Sequence, residues 1–79
     1  MKSVHSDAYK AVIHAFKQAR LRAGLTQQQV AKRLGRPQSF VAKYESGERR
    51  VDVAEFIAIA RAIGVEPGRV FAAIVKKAG

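Results

Sequence analysis

Residues 26–47, TQQQVAKRLGRPQSFVAKYESG, hold two short helical patterns back to back, with a turn of three or four residues between them. Thr26 and Gln29 have the spacing of a capping box, in which each side chain satisfies a backbone N–H left over at a helix start. Leu25 before that cap and Val30 after it are placed for a hydrophobic staple, which fixes the angle at which the chain enters the helix. Val30, Ala31 and Leu34 give this helix one apolar face. Gly35 supplies a residue that turns left-handed at little cost. Pro37 belongs, on this reading, to the first turn of the next helix, where its missing N–H is not needed. Val41 and Tyr44 resume the apolar spacing, and Gly47 stops the pattern.

Working outward, Tyr9, Val12, Ile13, Phe16, Ala19 and Ala23 recur at three- and four-residue spacing and make one helical stripe upstream. Ser6 or Asp7 caps it and Gly24 ends it. Downstream, Asp52 and Glu55 repeat the capping box, and Val51 and Phe56 repeat the staple. The apolar set of that helix is Phe56, Ile59, Ala60 and Ile63, closed by Gly64. Pro67 then opens a last helix, about residues 66–77, with Val70, Phe71, Ile74 and Val75 as its apolar set. Lys76 and Lys77 fall in its last turn, where they complement the helix dipole. No segment alternates with period two, and no repeat or linker interrupts the chain. The expected fold is all-α: a compact five-helix bundle in one domain, residues 1–79, with a helix-turn-helix at its second and third helices.

The chain has 79 residues, 48% of them hydrophobic, enough for one small domain with one modest core. Without cysteine there is neither a disulfide nor a thiolate metal site. Stability must come from helix packing, helped by self-association. The formal net charge is +9 and the isoelectric point about 10.7. Residues 1–25 carry five Lys/Arg against one Asp, and residues 26–50 six against two Glu. Residues 51–79 are near balance, four against three. A positive excess over the first two-thirds fits a face that binds a polyanion. No apolar run is long enough to span a bilayer. The opening MKSVHSDAYK lacks the apolar centre of a secretion signal. The cytoplasm of a bacterium, for a chromosomal or phage-encoded protein, is the expected location.

Three segments, LRAGLTQQQVAKRLG, SFVAKYESGERR and FIAIARAIGV, resemble the helix-turn-helix family of phage Cro and repressor proteins and the related bacterial xenobiotic-response-element regulators. The resemblance covers roughly residues 16–71. It implies the lambda-repressor-like bundle and a sequence-specific regulator that binds double-stranded operator DNA as a homodimer. In size and layout the chain is similar to the Cro-like repressors and to controller proteins of restriction–modification systems.

In a helix-turn-helix the first residues of the second helix meet base edges in the major groove. Here these are Gln38, Ser39 and, one turn on, Lys43. Gln suits adenine N6/N7, Lys suits guanine O6/N7, and Ser contacts either kind of base. The resemblance makes the same three positions the base readers, although an ordinary solvated face would carry similar residues. Phe40 interrupts this polar face, and its role stays open between a thymine methyl group and packing on the first helix. Phosphate contacts fall to Gln27, Arg36, Arg49 and Arg50, with Lys10, Lys17 and Lys32 as weaker candidates. In relatives the glutamine matching Gln27 bonds a phosphate and braces the one matching Gln38. The resemblance also implies a structural ion pair between Arg20 and Glu45, which removes Arg20 from the DNA-contacting set. Phe71, Ile74 and Val75 are more apolar groups than so small a core needs, and point to dimerisation through the last helix.

Other functions fit less well. No base is placed beside a nucleophile and there is no phosphate-cradling glycine loop, so an enzyme is not expected. His5 and His14 have no companions at metal spacing and read as surface residues; neither a metal nor another cofactor is expected. An antitoxin that sequesters a toxin protein is the rival from another class, although no disordered tail for wrapping a partner follows the last helix. Nucleoid binding through charge alone is a third reading.

Overall fold

The computed structural model describes residues 6–78. Five helices follow one another: α1 Asp7–Arg22, α2 Gln27–Leu34, α3 Gln38–Ser46, α4 Val53–Ile63 and α5 Pro67–Ala78. There is no strand among the described residues. The fold is therefore the all-α bundle that the sequence implies, with the helix-turn-helix at α2 and α3.

Local chemistry sets most boundaries. The Ser6 hydroxyl accepts from the Tyr9 N–H at 3.1 Å and caps α1. Asp7 falls in the first turn instead, where it complements the dipole. At α2, Thr26 Oγ1 accepts from the Gln29 N–H at 3.0 Å, and Gln29 Oε1 accepts from the Thr26 N–H at 2.8 Å. Asp52 and Glu55 repeat this box at α4, at 2.7 and 3.0 Å. Gly35 ends α2 at φ 68° and Gly47 ends α3 at φ 84°, conformations that a side chain would strain. One boundary differs from the sequence reading. Pro37 is the N-cap of α3 rather than part of its first turn; its backbone is extended, and its carbonyl accepts from the Phe40 N–H at 3.0 Å. That geometry defines a cap, and the fixed φ of proline satisfies it as readily as a helical position.

The core is Phe16, Val30, Ala31, Phe40, Val41, Tyr44, Ile59, Ala60 and Ile63. Fully buried Phe16 meets Tyr44 edge-on at a centroid distance of 6.1 Å and Phe56 at 4.8 Å. It thereby joins α1 to α3 and α4, and burial of such a ring contributes roughly 1.5–3 kcal/mol. The consequence for the site is rigidity: α3 is held from behind by α1, α2 and the aromatic cluster, leaving its other face to solvent.

The last helix lies against α1 and α4. Its phase corrects one sequence reading. Ile74 is only 6% exposed, on the side of α5 that shares a groove with α1, so it belongs to the packing within one chain rather than to an outward face. At about 100° per residue, burying Ile74 turns Phe71 and Val75 to the same outer flank. They remain 59% and 53% exposed. On α4, Val53 and Ile57 are also exposed, and Phe56 beside them packs edge-on against Phe71 at 6.3 Å. No described helix is long and apolar enough to cross a membrane.

Candidate nucleic-acid interface

Gln38, Ser39 and Lys43 are exposed together on α3. The arrangement behind Gln38 is a chain of hydrogen bonds that begins at a buried charge. Arg20 Nε and Nη2 donate to Glu45 Oε2 and Oε1 at 2.7 and 3.0 Å, a two-pronged pair, while Arg20 Nη1 donates to the Leu25 carbonyl at 2.9 Å. Gln27 Nε2 donates to the same Glu45 Oε1 at 2.9 Å. Gln38 Nε2 then donates to Gln27 Oε1 at 3.4 Å, the long end of the range. The structure thus brings Arg20, Glu45, Gln27 and Gln38 into one line from core to surface. The hydrogen bond to Glu45, against the opposing effect of burial, raises the Arg20 pKa and keeps the guanidinium charged. With side chains 9% and 4% exposed, neither member of the Arg20–Glu45 pair can serve as a surface contact.

Tyr44, next to Glu45, carries a cost. Its hydroxyl is buried with no hydrogen-bond partner, and burial pushes its pKa well above the usual phenol range. Its ring supplies packing against Phe16 and Phe40, and that packing accounts for its place in the core.

Arginines surround α3, and each rests on an aromatic ring. The guanidinium of Arg36, in the turn before α3, lies 4.4 Å from the Phe40 ring centroid, and that of Arg49, after α3, lies 4.7 Å from it. Arg50 lies 4.4 Å from the ring centroid of Tyr9. Such contacts are worth about 0.5–1 kcal/mol at exposed sites, and they restrict where a long side chain can point. Phe40 is buried beneath its two arginines, so its ring is packed within the chain. Tyr9 has a further task. Its hydroxyl accepts from the Val51 N–H at 2.9 Å and donates to the Arg49 carbonyl at 3.3 Å, tying the loop after α3 to α1.

Arg49 is more engaged than a free loop cation. Its two terminal nitrogens donate to both oxygens of Glu55 at 3.0 and 2.9 Å, and Nη1 also donates to the Arg50 carbonyl at 3.1 Å. Arg36 Nη2 reaches Glu55 Oε2 only at 3.6 Å. The hydrogen bond from Arg49, and after it the one from the Asp52 N–H, hold the Glu55 carboxyl below its ordinary pKa; the same contact raises that of Arg49.

Lys10, Lys17 and Lys32 are exposed, as is His14; His5 lies outside the described residues. No group of three potential metal ligands occurs among the described residues. Sequence reasoning missed Tyr9 as a loop clamp and Phe40 as an arginine seat. It saw Glu55 only as a cap. An acidic residue six positions after an arginine across a short loop was the one available signal.

Residues 16–70 match the family described as Helix-turn-helix. No match was found among curated proteins. Among solved structures, an XRE-family like protein from Pseudomonas syringae pv. tomato str. DC3000 is 44% identical, with 89% of this chain and 85% of that one covered and a TM-score of 0.85. The restriction–modification controller protein C.AhdI from Aeromonas hydrophila is 28% identical, covering 85% of this chain and all of that one, with a TM-score of 0.74. The controller protein C.Esp1396I, solved as a tetramer in complex with its natural 35 base-pair operator, shares the fold at 20% identity and a TM-score of 0.85, over 94% of this chain and 97% of that one.

Proposed function

The chain belongs to the helix-turn-helix family of Cro/C1-type DNA-binding regulators, and from that premise we propose that it binds an operator sequence-specifically, as a homodimer, with α3 in the major groove. The observation that carries this reading is the exposed trio of Gln38, Ser39 and Lys43, with the Gln38 amide held by Gln27. A base reader needs its donors and acceptors fixed before it meets the groove, because ordering a free side chain subtracts from discrimination. Gln27, at the start of α2, is suited to a phosphate through the free N–H groups and dipole of the helix end. Arg36 and Arg50 offer guanidinium donors for flanking phosphates, which position the protein without reading sequence.

Dimerisation supplies the second half-site, about 34 Å away along one face of the duplex. The exposed Phe71 and Val75 of α5, with Val53 and Ile57 of α4 beside them, are the surface for a second copy. The operator-bound tetramer of C.Esp1396I, on the same fold, supports both DNA binding and self-association. The family is not enzymatic. A regulator of this kind works in the cytoplasm, where the DNA is.

The test is selection from random-sequence duplex DNA by the purified protein. The expected product is a pair of related half-sites in two-fold symmetry. Equal retention of every sequence would reduce the protein to charge-driven binding and sink the proposal.

A further inference from the structure

Glu55 bridges two structures at once. Its Oε1 accepts from the Asp52 N–H at 3.0 Å and so completes the start of α4. The same carboxylate takes both terminal nitrogens of Arg49. Arg49 in turn lies over Phe40 of α3, donates a side-chain N–H to the Arg50 carbonyl at 3.1 Å, and gives its backbone N–H to the Lys43 carbonyl at 3.1 Å. A guanidinium has five N–H groups. Three bonds to Glu55 and to the loop use much of that fork within the chain. Arg36 is different: it lies over the same ring, yet its distance to Glu55 is too long for a hydrogen bond, and its donors are left to solvent.

We propose that Arg49 and Glu55 are positioning residues for DNA binding: an internal fork that fixes the loop after α3 against α4, and holds α3, Arg36 and Arg50 in place, rather than a phosphate contact and a bystander carboxylate. The inference rests on the DNA-binding reading above. It changes the role expected of Arg49, and it assigns Glu55 a role in binding DNA although its charge has the wrong sign for touching DNA.

That sign makes the test decisive. Glu55→Gln raises the formal net charge of +9 by one. If Arg36 and Arg49 act as independent phosphate contacts, removing the acid beside them tightens binding to any duplex and steepens the dependence of affinity on salt. If the fork positions the loop, the same change weakens binding. Glutamine is also an accepted capping-box residue at this position, so the start of α4 keeps its cap. Arg49→Lys is the companion variant, keeping the charge while losing the fork.

Affinity for a mixed-sequence duplex, and for the duplex that the wild type selects, is measured at several salt concentrations. Circular dichroism on the same samples sets a temperature at which every variant is folded. Both variants are expected to bind about two- to fivefold more weakly, the range of one exposed ion pair, with the salt slope unchanged. Arg36→Ala, the reference for a true phosphate contact, lowers the slope by about one. Tighter or unchanged binding by Glu55→Gln overturns the inference, as does wild-type affinity in Arg49→Lys. A wild type that binds neither duplex removes the DNA-binding reading itself, an outcome distinct from either of these.

Discussion

Arg20→Ala breaks the most deeply buried charge pair described in the fold. The substitution removes both prongs to Glu45 and the bond to the Leu25 carbonyl, leaving a carboxylate whose side chain is 4% exposed with Gln27 as its remaining donor. Stranding a buried charge in this way costs about 3–5 kcal/mol. For a domain of this size that corresponds to a fall in Tm of roughly 12–24 °C at the lower figure. It is also a large share of a total stability of about 5–15 kcal/mol. The assay is urea unfolding followed by circular dichroism for wild type, Arg20→Ala, Glu45→Ala and the double variant. A coupling energy of about 2–3 kcal/mol is expected, because once one partner is gone the second deletion removes a group that already lacks its mate. Arg20→Ala with an unchanged midpoint and abolished DNA binding would make Arg20 a contact residue and exclude the structural ion pair.

Phe71→Glu places a charge on the flank assigned to the second copy. Sedimentation should find a folded monomer with weak operator binding, and an unchanged dimer would exclude this interface. Tyr44→Phe removes a buried hydroxyl that has no partner and keeps the ring, so chemical denaturation should find stability unchanged or raised by about 1 kcal/mol, whereas a clear loss would mean that the hydroxyl is bonded. Burial raises the pKa of Tyr44 by disfavouring the phenolate, so this group leaves stability independent of pH below 10.0 and lowers it as pH rises from there towards the higher folded value.

How much of this was legible in the chain follows from the range of each interaction. The capping boxes at Thr26–Gln29 and Asp52–Glu55 are contacts three residues apart, and the glycines at 35 and 47 answer a local backbone need, so helix order and the turn could be read directly. Pro37 moved by one position because a cap and a first turn ask the same φ of proline. The direction that Ile74 faces was not legible, since an apolar set spread around a short helix does not say which part meets α1 and which meets solvent. The Arg20–Glu45 contact spans 25 residues and entered through family resemblance, not spacing. Tyr9 and the loop it clamps lie 40 and 42 residues apart, and no periodicity signals a tyrosine hydroxyl caught between two backbone groups. The seating of Arg36 and Arg49 on Phe40 likewise exists only once α3 and the loop are folded. Residue types were therefore visible early, and their pairings were not.

In the proposed complex α3 reads sequence while flanking arginines hold phosphate. Competition binding against single-base variants of the selected duplex, at several salt concentrations, separates the two roles. Gln38→Ala and Lys43→Ala should each lose about 1–3 kcal/mol of discrimination at particular base pairs and keep the rest of the preference profile. Arg36→Ala and Arg50→Ala should weaken all sequences alike and flatten the salt slope by about one each. A Gln38→Ala protein with the whole wild-type profile intact would contradict the assignment of α3 as the recognition helix.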